Sequence, residues 1–404
     1  MRLLCPPRPL LATGLLFALV LGAAPARGAD FPVWRGVDRN GIIPESGGKL
    51  DKLRTATKPT WKALIGVGYA AITVSGNRAY AFGNQNNTDT VYCFDAATGE
   101  KVWSHDYACR GDFGGYKGPR ATPVVDGGVV FTFSGAGQVH ALDAAKGTVV
   151  WTRDLAQDMQ AKAPQWGFSG SPLVAGDVVL LNVGANGLAL DRKTGKTRWD
   201  SGGGGAGYAT PVFAEFQGQR GLFIFAQKDL IAVDLAAGKK LWSFPWVTKY
   251  DVNAADPIVA GNRVFISSNY GRGGALLDFA GGQPQKLWEN ASMCNHFNSS
   301  ILHDGHLYGN SAGKLVCLEA KSGTPKWSKD GFGNGSSVLL VDGKLLVLGD
   351  RGTAVVAEAS PAEYKELSRT QLLGGQCWTM PTVAHGRLYA RNNGPGDLVC
   401  FNLN

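Results

Sequence analysis

Short apolar runs alternate with glycine-containing turns along the chain from about residue 60 to its end. The runs, of which VFTF, VFIS and LLVL are examples, are rich in β-branched and aromatic residues and are too short for helices, so they predict β-strands. Eight of the turns recur with a period of about 43 residues, which fits units of four short strands each. These turns are Ser75-Gly76, Asp126-Gly127, Ala175-Gly176, Gln217-Gly218, Ala260-Gly261, Asp304-Gly305, Asp342-Gly343 and His385-Gly386.

A second motif recurs in phase with these turns and joins an acid, a glycine and a tryptophan. In the first copy Gly99 lies four residues after Asp95 and four before Trp103. The carboxylate can accept hydrogen bonds from turn amides, and the glycine supplies the left-handed conformation that leads into an antiparallel strand. The tryptophan can then pack against a neighbouring unit. Docking tryptophans are expected at Trp61, Trp103, Trp151, Trp199, Trp242, Trp288 and Trp327.

Two units depart from this spacing. The copy that begins at Asp278 carries two extra residues before its tryptophan. In the seventh unit AEASPAEYKELSR replaces the acid-to-glycine turn, and Tyr364 or Leu367 is expected in the place of the tryptophan.

The chain ends predict a closed ring rather than an open stack of units. Trp61 has no acid-to-glycine turn before it, whereas the last residues, LVCFNLN, match the strand VYCFDAA but stop before any tryptophan. The ends are therefore complementary halves of one unit, and a linear stack would need capping units instead. The predicted fold is all-β, an eight-bladed β-propeller of four-stranded antiparallel blades, closed by pairing of the N- and C-terminal strands.

The repeated motif resembles the docking motif of PQQ-like (pyrrolo-quinoline quinone) propeller repeats. Such repeats occur in quinoprotein alcohol dehydrogenases and in BamB-like outer-membrane assembly lipoproteins, and the resemblance covers roughly residues 61–404. The stretch from Trp34 to Gly41, WRGVDRNG, is similar to an N-terminal signature of exported PQQ-like repeat proteins. The resemblance implies the fold, while the activity is left open because such repeats serve both enzymes and scaffolds.

Residues 1–29 have the composition of a secretory signal peptide. Arg2 and Arg8 precede an apolar core from Leu10 to Leu21, and small residues follow it. This core is shorter than the ~20 residues that span a bilayer, and Cys5 lies ahead of it rather than at the cleavage point. We therefore expect a periplasmic or secreted protein with no transmembrane segment and no lipid anchor. Residues 30–60 are predicted to form an extension packed on the ring, and residues 61–404 the propeller.

Charge and cysteine content narrow the classes of partner. The net charge of +8 includes three arginines of the leader, and the chain has no run of lysine and arginine, so no nucleic-acid partner is expected. Cys93, Cys317 and Cys400 share one repeat position that holds alanine in other units, which predicts small buried residues. The remaining cysteines fall in connecting loops, where export permits disulfides but no pairing stands out. These are Cys109, Cys294 and Cys377.

Chain direction sorts the loops onto two faces of the ring. Because strands alternate in direction, both kinds of short glycine turn lie on one face, which we call the turn face. The connections between blades and the loops between second and third strands lie on the other, the loop face. Two connections on the loop face are long, at residues 104–120 and 152–168. Variable loops on a rigid scaffold are where binding residues concentrate.

Eight polar and aromatic residues are expected on the loop face near the axis of the ring. They would line a funnel suited to an acidic or planar ligand. In the alternative interpretation the channel is merely polar and wet, with Trp166 and Trp378 packed over the gaps between blades. The eight candidates are Arg120, Trp166, Tyr208, Asn253, His296, Asn298, Trp378 and Arg391.

Some of these residues also allow catalytic or metal-binding hypotheses, each weaker than a structural role. His296 could act as a catalytic base, but a histidine at the start of a strand is more often a hydrogen-bonded structural residue. A zinc site formed by the loop cysteines with His296 lacks C-x-x-C spacing. Asp251 and Asp256 flank Asn253 and could bind a cation together, although calcium requires about six oxygens.

These observations favour a non-catalytic scaffold that binds an unknown protein or a small anionic ligand and needs no cofactor. The alternative is an oxidoreductase similar to quinoprotein alcohol dehydrogenases, with PQQ and Ca²⁺. The sequence lacks the vicinal cysteine pair and the C-x-x-C-H haem motif that this second resemblance would imply.

Overall fold

Eight four-stranded antiparallel sheets form the blades of a β-propeller, as predicted. The structure is a computed structural model that describes residues 28–55, 58–200, 202 and 204–404. The predicted signal peptide lies outside these residues except for Gly28 and Ala29. Within the described ranges no helix combines the length and the hydropathy needed to cross a membrane.

Each blade is a meander of consecutive strands from the inner strand at the axis to the outer strand at the rim. The chain begins with β1 (Ile42–Ile43), a 3-10 helix (Leu50–Thr55) and β2 (Trp61–Leu64). Blade 1 contains β3 (Thr73–Ser75), β4 (Arg78–Gln85), β5 (Thr88–Asp95) and β6 (Lys101–Ala108), and a hairpin of β7 (Asp112–Phe113) and β8 (Tyr116–Lys117) follows. Blade 2 contains β9 (Val124–Asp126), β10 (Val129–Phe133), β11 (Gln138–Asp143) and β12 (Val149–Asp154), followed by the helix α1 (Leu155–Met159). Blade 3 contains β13 (Leu173–Ala175), β14 (Val178–Leu181), β15 (Leu188–Asp191) and β16 (Thr197–Asp200).

The second half of the ring repeats the same order. Blade 4 contains β17 (Val212–Phe216), β18 (Gln219–Phe225), β19 (Asp229–Asp234) and β20 (Lys240–Pro245). Blade 5 contains β21 (Ile258–Ala260), β22 (Arg263–Ser268), β23 (Gly273–Asp278) and β24 (Gln285–Asn290). Blade 6 contains β25 (Ile301–His303), β26 (His306–Ser311), β27 (Lys314–Glu319) and β28 (Pro325–Lys329). Blade 7 contains β29 (Ser337–Val341), β30 (Lys344–Leu348), β31 (Thr353–Glu358) and β32 (Glu366–Gln371), and blade 8 contains β33 (Thr382–Ala384), β34 (Arg387–Arg391) and β35 (Asp397–Asn402).

The ring closes where the sequence places the two half-units. Strand β2 pairs antiparallel with β35, with Trp61 opposite Cys400, and supplies the outer strand of blade 8. A buried arginine reinforces this closure, because Arg391 of β34 donates to the carbonyl oxygens of Phe82 (2.7 Å) and Gly66 (2.8 Å). These acceptors lie in blade 1 and just after β2, so Arg391 ties the last blade to the first.

The aspartates of the motif hold their turns in the predicted manner, whereas Glu319 accepts from the hydroxyl of Ser322 instead. Asp95 accepts hydrogen bonds from the backbone N–H groups of Ala97 (2.9 Å) and Thr98 (3.0 Å). Gly99 then adopts a left-handed φ of 74°. These bonds lower the pKa of the Asp95 carboxyl, with the Thr98 amide as the largest cause, because they stabilise the ionised form.

The glycine of the motif also forms the seat for the tryptophan of the preceding blade. The ring of Trp61 lies over Gly99, so close that a Cβ on the glycine would come within 2.5 Å of the ring. Its indole N–H donates to the carbonyl of Ala96, the residue after the acid (3.2 Å). Other blades repeat the arrangement, and the pairs of tryptophan and seat are Trp103 with Gly147, Trp151 with Gly195, Trp199 with Gly238, and Trp288 with Gly323.

Small residues at one repeat position have the same cause. Cys93 stands directly opposite Trp103 in the strand register, and Cys317 stands opposite Trp327. Each cysteine is fully buried beside the indole, where a larger side chain would displace it. Of the docking tryptophans, five are buried, whereas Trp288 and Trp327 are half-buried.

In the two irregular units the tryptophan of the preceding blade packs against an aromatic side chain instead of a glycine. Trp242 packs against Phe279, with ring centroids 6.2 Å apart, because the longer turn after Asp278 moves its glycine away. In the seventh unit the expectation for Tyr364 or Leu367 was wrong, since Ser368 stands opposite Val356 at the register position of the tryptophan. Tyr364 instead packs on Trp327 of the preceding blade, because the acid-to-glycine seat is missing there.

The N-terminal extension fills the channel near the turn face. Inner strands have a free edge toward the axis, and the extension pairs with these edges in several blades. Phe31 and Val74 exchange two backbone hydrogen bonds, and β1 pairs in parallel with β29. Gly386 of blade 8 donates to the carbonyl of Ser46 (2.7 Å). The channel is therefore closed on one side by the protein's own chain.

A series of hydrogen bonds to side chains joins the starts of the inner strands from blade 1 to blade 6. At each step a backbone N–H donates to the side-chain oxygen of the equivalent residue in the next blade. The donor and acceptor residues are Ala71 to Thr122, Thr122 to Ser171, Ser171 to Thr210, Thr210 to Asp256, and Asp256 to Ser299. Asp256 is the one member of this described series with a carboxyl group where the others have a hydroxyl group or alanine.

The seat can be tested by comparing Gly238→Ala with Gly176→Ala. Both glycines have a left-handed φ, 65° and 60°, but a Cβ at 238 would overlap the Trp199 ring, whereas at 176 nothing lies within 4 Å. The substitution at Gly176 should lower the free energy of unfolding by about 1–2 kcal/mol through backbone strain. The substitution at Gly238 should lower it by roughly 1–3 kcal/mol more, because Trp199 must move. Denaturant midpoints measure both, and equal midpoints would contradict the seat.

Candidate functional site

A cavity of about 210 Å³ opens on the loop face at the axis of the ring. Its wall is formed mainly by the connections that lead from one blade to the next, and none of the described lining residues belongs to a short glycine turn of the turn face. The lining residues are Trp34, Tyr69, Tyr116, Arg120, Trp166, Ser169, Ser171, Tyr208, Thr210, Val252, Ala254, Asp256, Tyr270, His296, Phe297, Asn298, Trp378 and Thr379. We call this space the axial cavity.

The N-terminal extension forms part of the floor of the axial cavity. Trp34 reaches the cavity from below, and its indole N–H donates to one oxygen of Asp256 (2.7 Å). The other oxygen accepts from the backbone N–H of Thr210 (2.8 Å). Burial raises the pKa of Asp256, and the guanidinium of nearby Arg35 opposes that shift. The carboxylate at the floor thus has both oxygens engaged by the protein.

Aromatic side chains in mutual contact, which we call the aromatic belt, line one side of the axial cavity. Trp378 lies at its centre, with ring centroids 5.3 Å from Phe297, 5.9 Å from Tyr116 and 6.3 Å from Tyr69. Such separations are typical of favourable tilted and edge-on ring pairs. Gly335 lies beneath Trp378 in close contact with the indole. The belt is therefore a packed surface that exists before any ligand arrives.

Arg120 places a cation in this wall without a carboxylate partner. Its guanidinium donates to the backbone carbonyls of Gly118, Phe113 and Tyr116, and lies 5.5 Å from the centre of the Tyr69 ring. In the described part of the chain it forms no ion pair. Burial is the main reason that its pKa falls to about 10, with opposing contributions led by Tyr69. The side chain stays charged at neutral pH.

His296 is a neutral member of the wall. Its Nε2 lies 2.8 Å from the hydroxyl of Tyr270, and the two rings meet edge-on with centroids 5.2 Å apart. Its Nδ1 is buried and has no hydrogen-bond partner among the described residues. Burial lowers the pKa of His296 to about 4, because a charged imidazolium loses hydration there. At neutral pH the ring offers hydrogen bonds rather than a charge.

The structure brings six of the eight predicted residues to the axial cavity. They are Arg120, Trp166, Tyr208, His296, Asn298 and Trp378. Asn253 is fully buried and holds backbone carbonyls of Ala226 and Trp246 instead. Arg391 is buried as well and serves the ring closure described above. Ligand binding by the six remains a prediction.

Sequence reasoning missed several lining residues. Phe297 and Tyr69 occur in connections, but aromatic residues in such segments give no sign of whether they face the axis or a blade. Trp34 could not be placed, because the path of the extension through the channel depends on backbone pairing with distant strands. Tyr270 belongs to a loop between second and third strands whose inward direction is set by the ring.

The metal and disulfide hypotheses find no assembled site among the described residues. All six cysteines that the structure describes are free and buried. No group of three or more histidine, cysteine or acidic side chains within the described ranges is arranged to hold a metal ion. Asp251 accepts from Gln227 (2.9 Å), whereas Asp256 binds Thr210 and Trp34, so the two carboxylates serve different partners.

A second polar cluster is buried between blades 1 and 2, behind the connection that carries Arg120. Asp89 is 1% exposed and accepts a hydrogen bond from Asn84 (2.6 Å). Tyr107 packs edge-on against His140, with ring centroids 3.9 Å apart. Burial raises the pKa of Asp89 to about 6 and lowers that of His140 to about 4. Both groups are therefore most stable uncharged.

Comparisons with known proteins agree with the propeller architecture. The family described as outer membrane protein assembly factor BamB matches residues 87–329. Tetrathionate hydrolase from Acidithiobacillus ferrooxidans is 24% identical over 233 residues, which cover 54% of this chain and 44% of that relative. This chain thus spans less than half the length of that curated relative.

Two kinds of solved structure share the fold. BamB from Moraxella catarrhalis superposes with a TM-score of 0.63 at 16% identity, covering 85% of this chain and 99% of that one. Quinohemoprotein alcohol dehydrogenase from Comamonas testosteroni gives a TM-score of 0.66 at 15% identity, covering 94% and 81%. At such identities the likeness shows the fold alone, and it includes a dehydrogenase as well as an assembly factor.

The buried carboxyl can be tested with Asp89→Asn. Because the pKa of Asp89 rises from 3.8 to about 6 on folding, the native state is favoured below pH 4 and loses stability as the pH rises to 6. The variant should therefore become more stable than the wild type across that range, by up to roughly 3 kcal/mol. Denaturation at several pH values measures the difference.

Measuring the difference between variant and wild type isolates Asp89, since His140 acts in the opposite sense. Asp106→Asn, an exposed change in the neighbouring strand, is the matched control and should show no comparable rise. A difference for Asp89→Asn that stayed constant from pH 4 to 6 would show that its ionisation is not shifted.

Proposed function

This chain belongs to the family described as outer membrane protein assembly factor BamB, and from that premise we propose that it is an exported, non-catalytic propeller whose axial cavity binds a small ligand. The observation that carries the proposal is a preformed aromatic cavity on the loop face with a floor supplied by the N-terminal extension. Its expected compartment is the periplasm or the extracellular space.

The composition of the wall supports ligand binding. Small-molecule sites are usually concave, largely preformed and apolar, with a few polar groups that orient the ligand. The axial cavity matches this description, since Trp378 and Phe297 form a packed aromatic surface and Arg120, His296 and Asn298 add separate polar groups. The aromatic side chains are already held by ring contacts, so little conformational entropy is lost on binding.

The polar groups of the wall favour recognition over catalysis. A catalytic site needs a nucleophile or proton carrier free to act on the substrate. Both carboxylate oxygens of Asp256 accept hydrogen bonds from N–H donors. Tyr270 is the hydrogen-bond partner of His296, and burial raises the pKa of Tyr270, which disfavours its phenolate form. Asn298 donates its amide to the carbonyl of Gly335 (2.9 Å). These groups orient and exclude water.

The residues present do not suit the PQQ and Ca²⁺ of the alternative oxidoreductase. PQQ is a planar quinone with three carboxylates, for which the aromatic belt offers stacking surfaces. Among the described lining residues, the wall supplies one cation, Arg120, and the floor supplies a carboxylate, Asp256. Arg35 is directed to the carbonyls of Asn40 and Ser300 beneath the floor. We therefore propose that the protein acts without this cofactor.

A protein partner, as the family description suggests, would have to use the same face. Several aromatic and apolar side chains are exposed around the mouth, including Tyr116, Tyr250 and Val247. Aromatic residues of this kind are enriched in interfaces. The blind cavity beside them gives a small ligand the better-defined site, which is why ligand binding is the proposal.

Ligand binding can be tested by titrating the protein with indole in a calorimeter. We expect saturable binding with one site per chain, weakened at least tenfold by Trp378→Ala, because the indole side chain is the centre of the aromatic belt. Leu287→Ala, an exposed change on the outer strand of blade 5, is the control and should leave the affinity unchanged. Unfolding curves establish that both variants fold. Absence of binding by the wild type would contradict the proposal.

The oxidoreductase alternative has a separate test. The purified protein is incubated with PQQ and CaCl₂ and then passed through a desalting column. We expect no quinone absorbance to travel with the protein and no rise in its melting temperature, because one arginine cannot balance three carboxylates beside Asp256. Retention of quinone at one equivalent per chain would favour the dehydrogenase reading instead.

A further inference from the structure

We infer that the ligand of the axial cavity is a compact aromatic carboxylate, whose ring packs in the aromatic belt and whose carboxylate meets Arg120. This inference rests on the proposed function and names the chemical class of the ligand. Three features of the described residues carry it: the unpaired guanidinium, the size of the cavity and the engaged floor carboxylate.

The first feature is the charge balance of Arg120. Its hydrogen-bond partners in the described chain are three backbone carbonyls, which are neutral acceptors. A guanidinium has five N–H donors, so donor capacity is left for a ligand. Asp112 and Asp89 attract the guanidinium electrostatically, but neither forms an ion pair with it among the described residues. A carboxylate placed here would offset the loss of hydration that burial imposes on the cation.

The second feature is the size and shape of the available space. About 210 Å³ is less than the roughly 300–1,000 Å³ of pockets for drug-sized ligands, so one or two fused rings are the appropriate scale. Trp378, Phe297 and Tyr69 present ring faces and edges on one side of this space. A flat aromatic ligand would extend this chain of ring contacts.

The third feature disfavours a cationic ligand of the same shape. Among the described residues that line the axial cavity, Asp256 is the only one with a carboxyl group, and it is already bonded to Trp34 and Thr210 and lies near the charge of Arg35. Arg120 lies over the Tyr69 ring and so occupies part of the aromatic surface that would attract a cation. An ammonium group would therefore meet a like charge and no free anion.

The inference is tested with three ligands of similar shape: indole, indole-3-carboxylate and indole-3-methanamine. Calorimetric titration at pH 7.5 should give an affinity for the carboxylate at least tenfold above that for indole, and an affinity for the amine at or below that for indole. The advantage of the carboxylate should shrink at high salt, because the interaction is electrostatic.

Two arginine variants assign the preference to its source. Arg120→Gln should abolish the carboxylate advantage while indole still binds, and Arg120→Lys should keep part of it because the charge is retained. Arg110→Gln is the matched control, since Arg110 is exposed on the same connection and does not line the axial cavity. Unchanged indole affinity in the Arg120 variants shows that the 109–120 connection still holds its shape.

The outcomes separate the two proposals. Equal affinities for the carboxylate and the amine, or a carboxylate advantage that survives Arg120→Gln, would overturn the inference while indole binding still supports a ligand site. Failure of all three ligands to bind the wild type would overturn the proposed function itself.

Discussion

The contact between a tryptophan of one blade and a glycine of the next is the interaction on which the propeller depends. The indole lies flat on a position that cannot carry a Cβ, and its N–H satisfies the carbonyl after the turn acid, as Trp61 does with Gly99 and Ala96. One motif therefore contains the seat for the blade before it and the tryptophan for the blade after it. Such a unit cannot bury its own tryptophan, so stability requires neighbours on both sides, and closure of the ring supplies them.

Closure creates an axis, where the geometry that repeats from blade to blade ends and features particular to this chain begin. Free inner edges would leave backbone groups without partners. The N-terminal extension pairs with several of these edges on the turn face, through contacts such as Phe31 with Val74. The loop face is left with a blind cavity. The hydrogen bond between Trp34 and Asp256 joins the extension to the axial cavity, because the extension that closes the channel also binds the floor of the cavity.

Electrostatics inside the ring follow from burial more than from pairing. Arg391, Arg120 and His296 have their charged forms disfavoured by desolvation, and the arginines are held chiefly by carbonyl oxygens. For Arg391 this arrangement joins the last blade to the first, whereas for Arg120 it leaves a cation facing open space. Residues of the same type thus serve closure in one place and a candidate site in another. The difference is whether the surrounding blades leave room beside the guanidinium.

The sequence by itself determined the fold, the number of blades and the way the ring closes, because these depend on spacings that repeat and on local turn chemistry. It also identified the loop face and six residues of the axial cavity, since strand direction assigns each connection to a face. Only the tertiary structure decided that Arg391 and Asn253 are buried and bind backbone carbonyls. It also decided that Ser368 occupies the register position of the missing tryptophan and that Trp34 reaches the floor of the axial cavity. Those facts depend on contacts between backbone groups that are far apart in the sequence, and the spacing of residues along the chain does not specify such contacts.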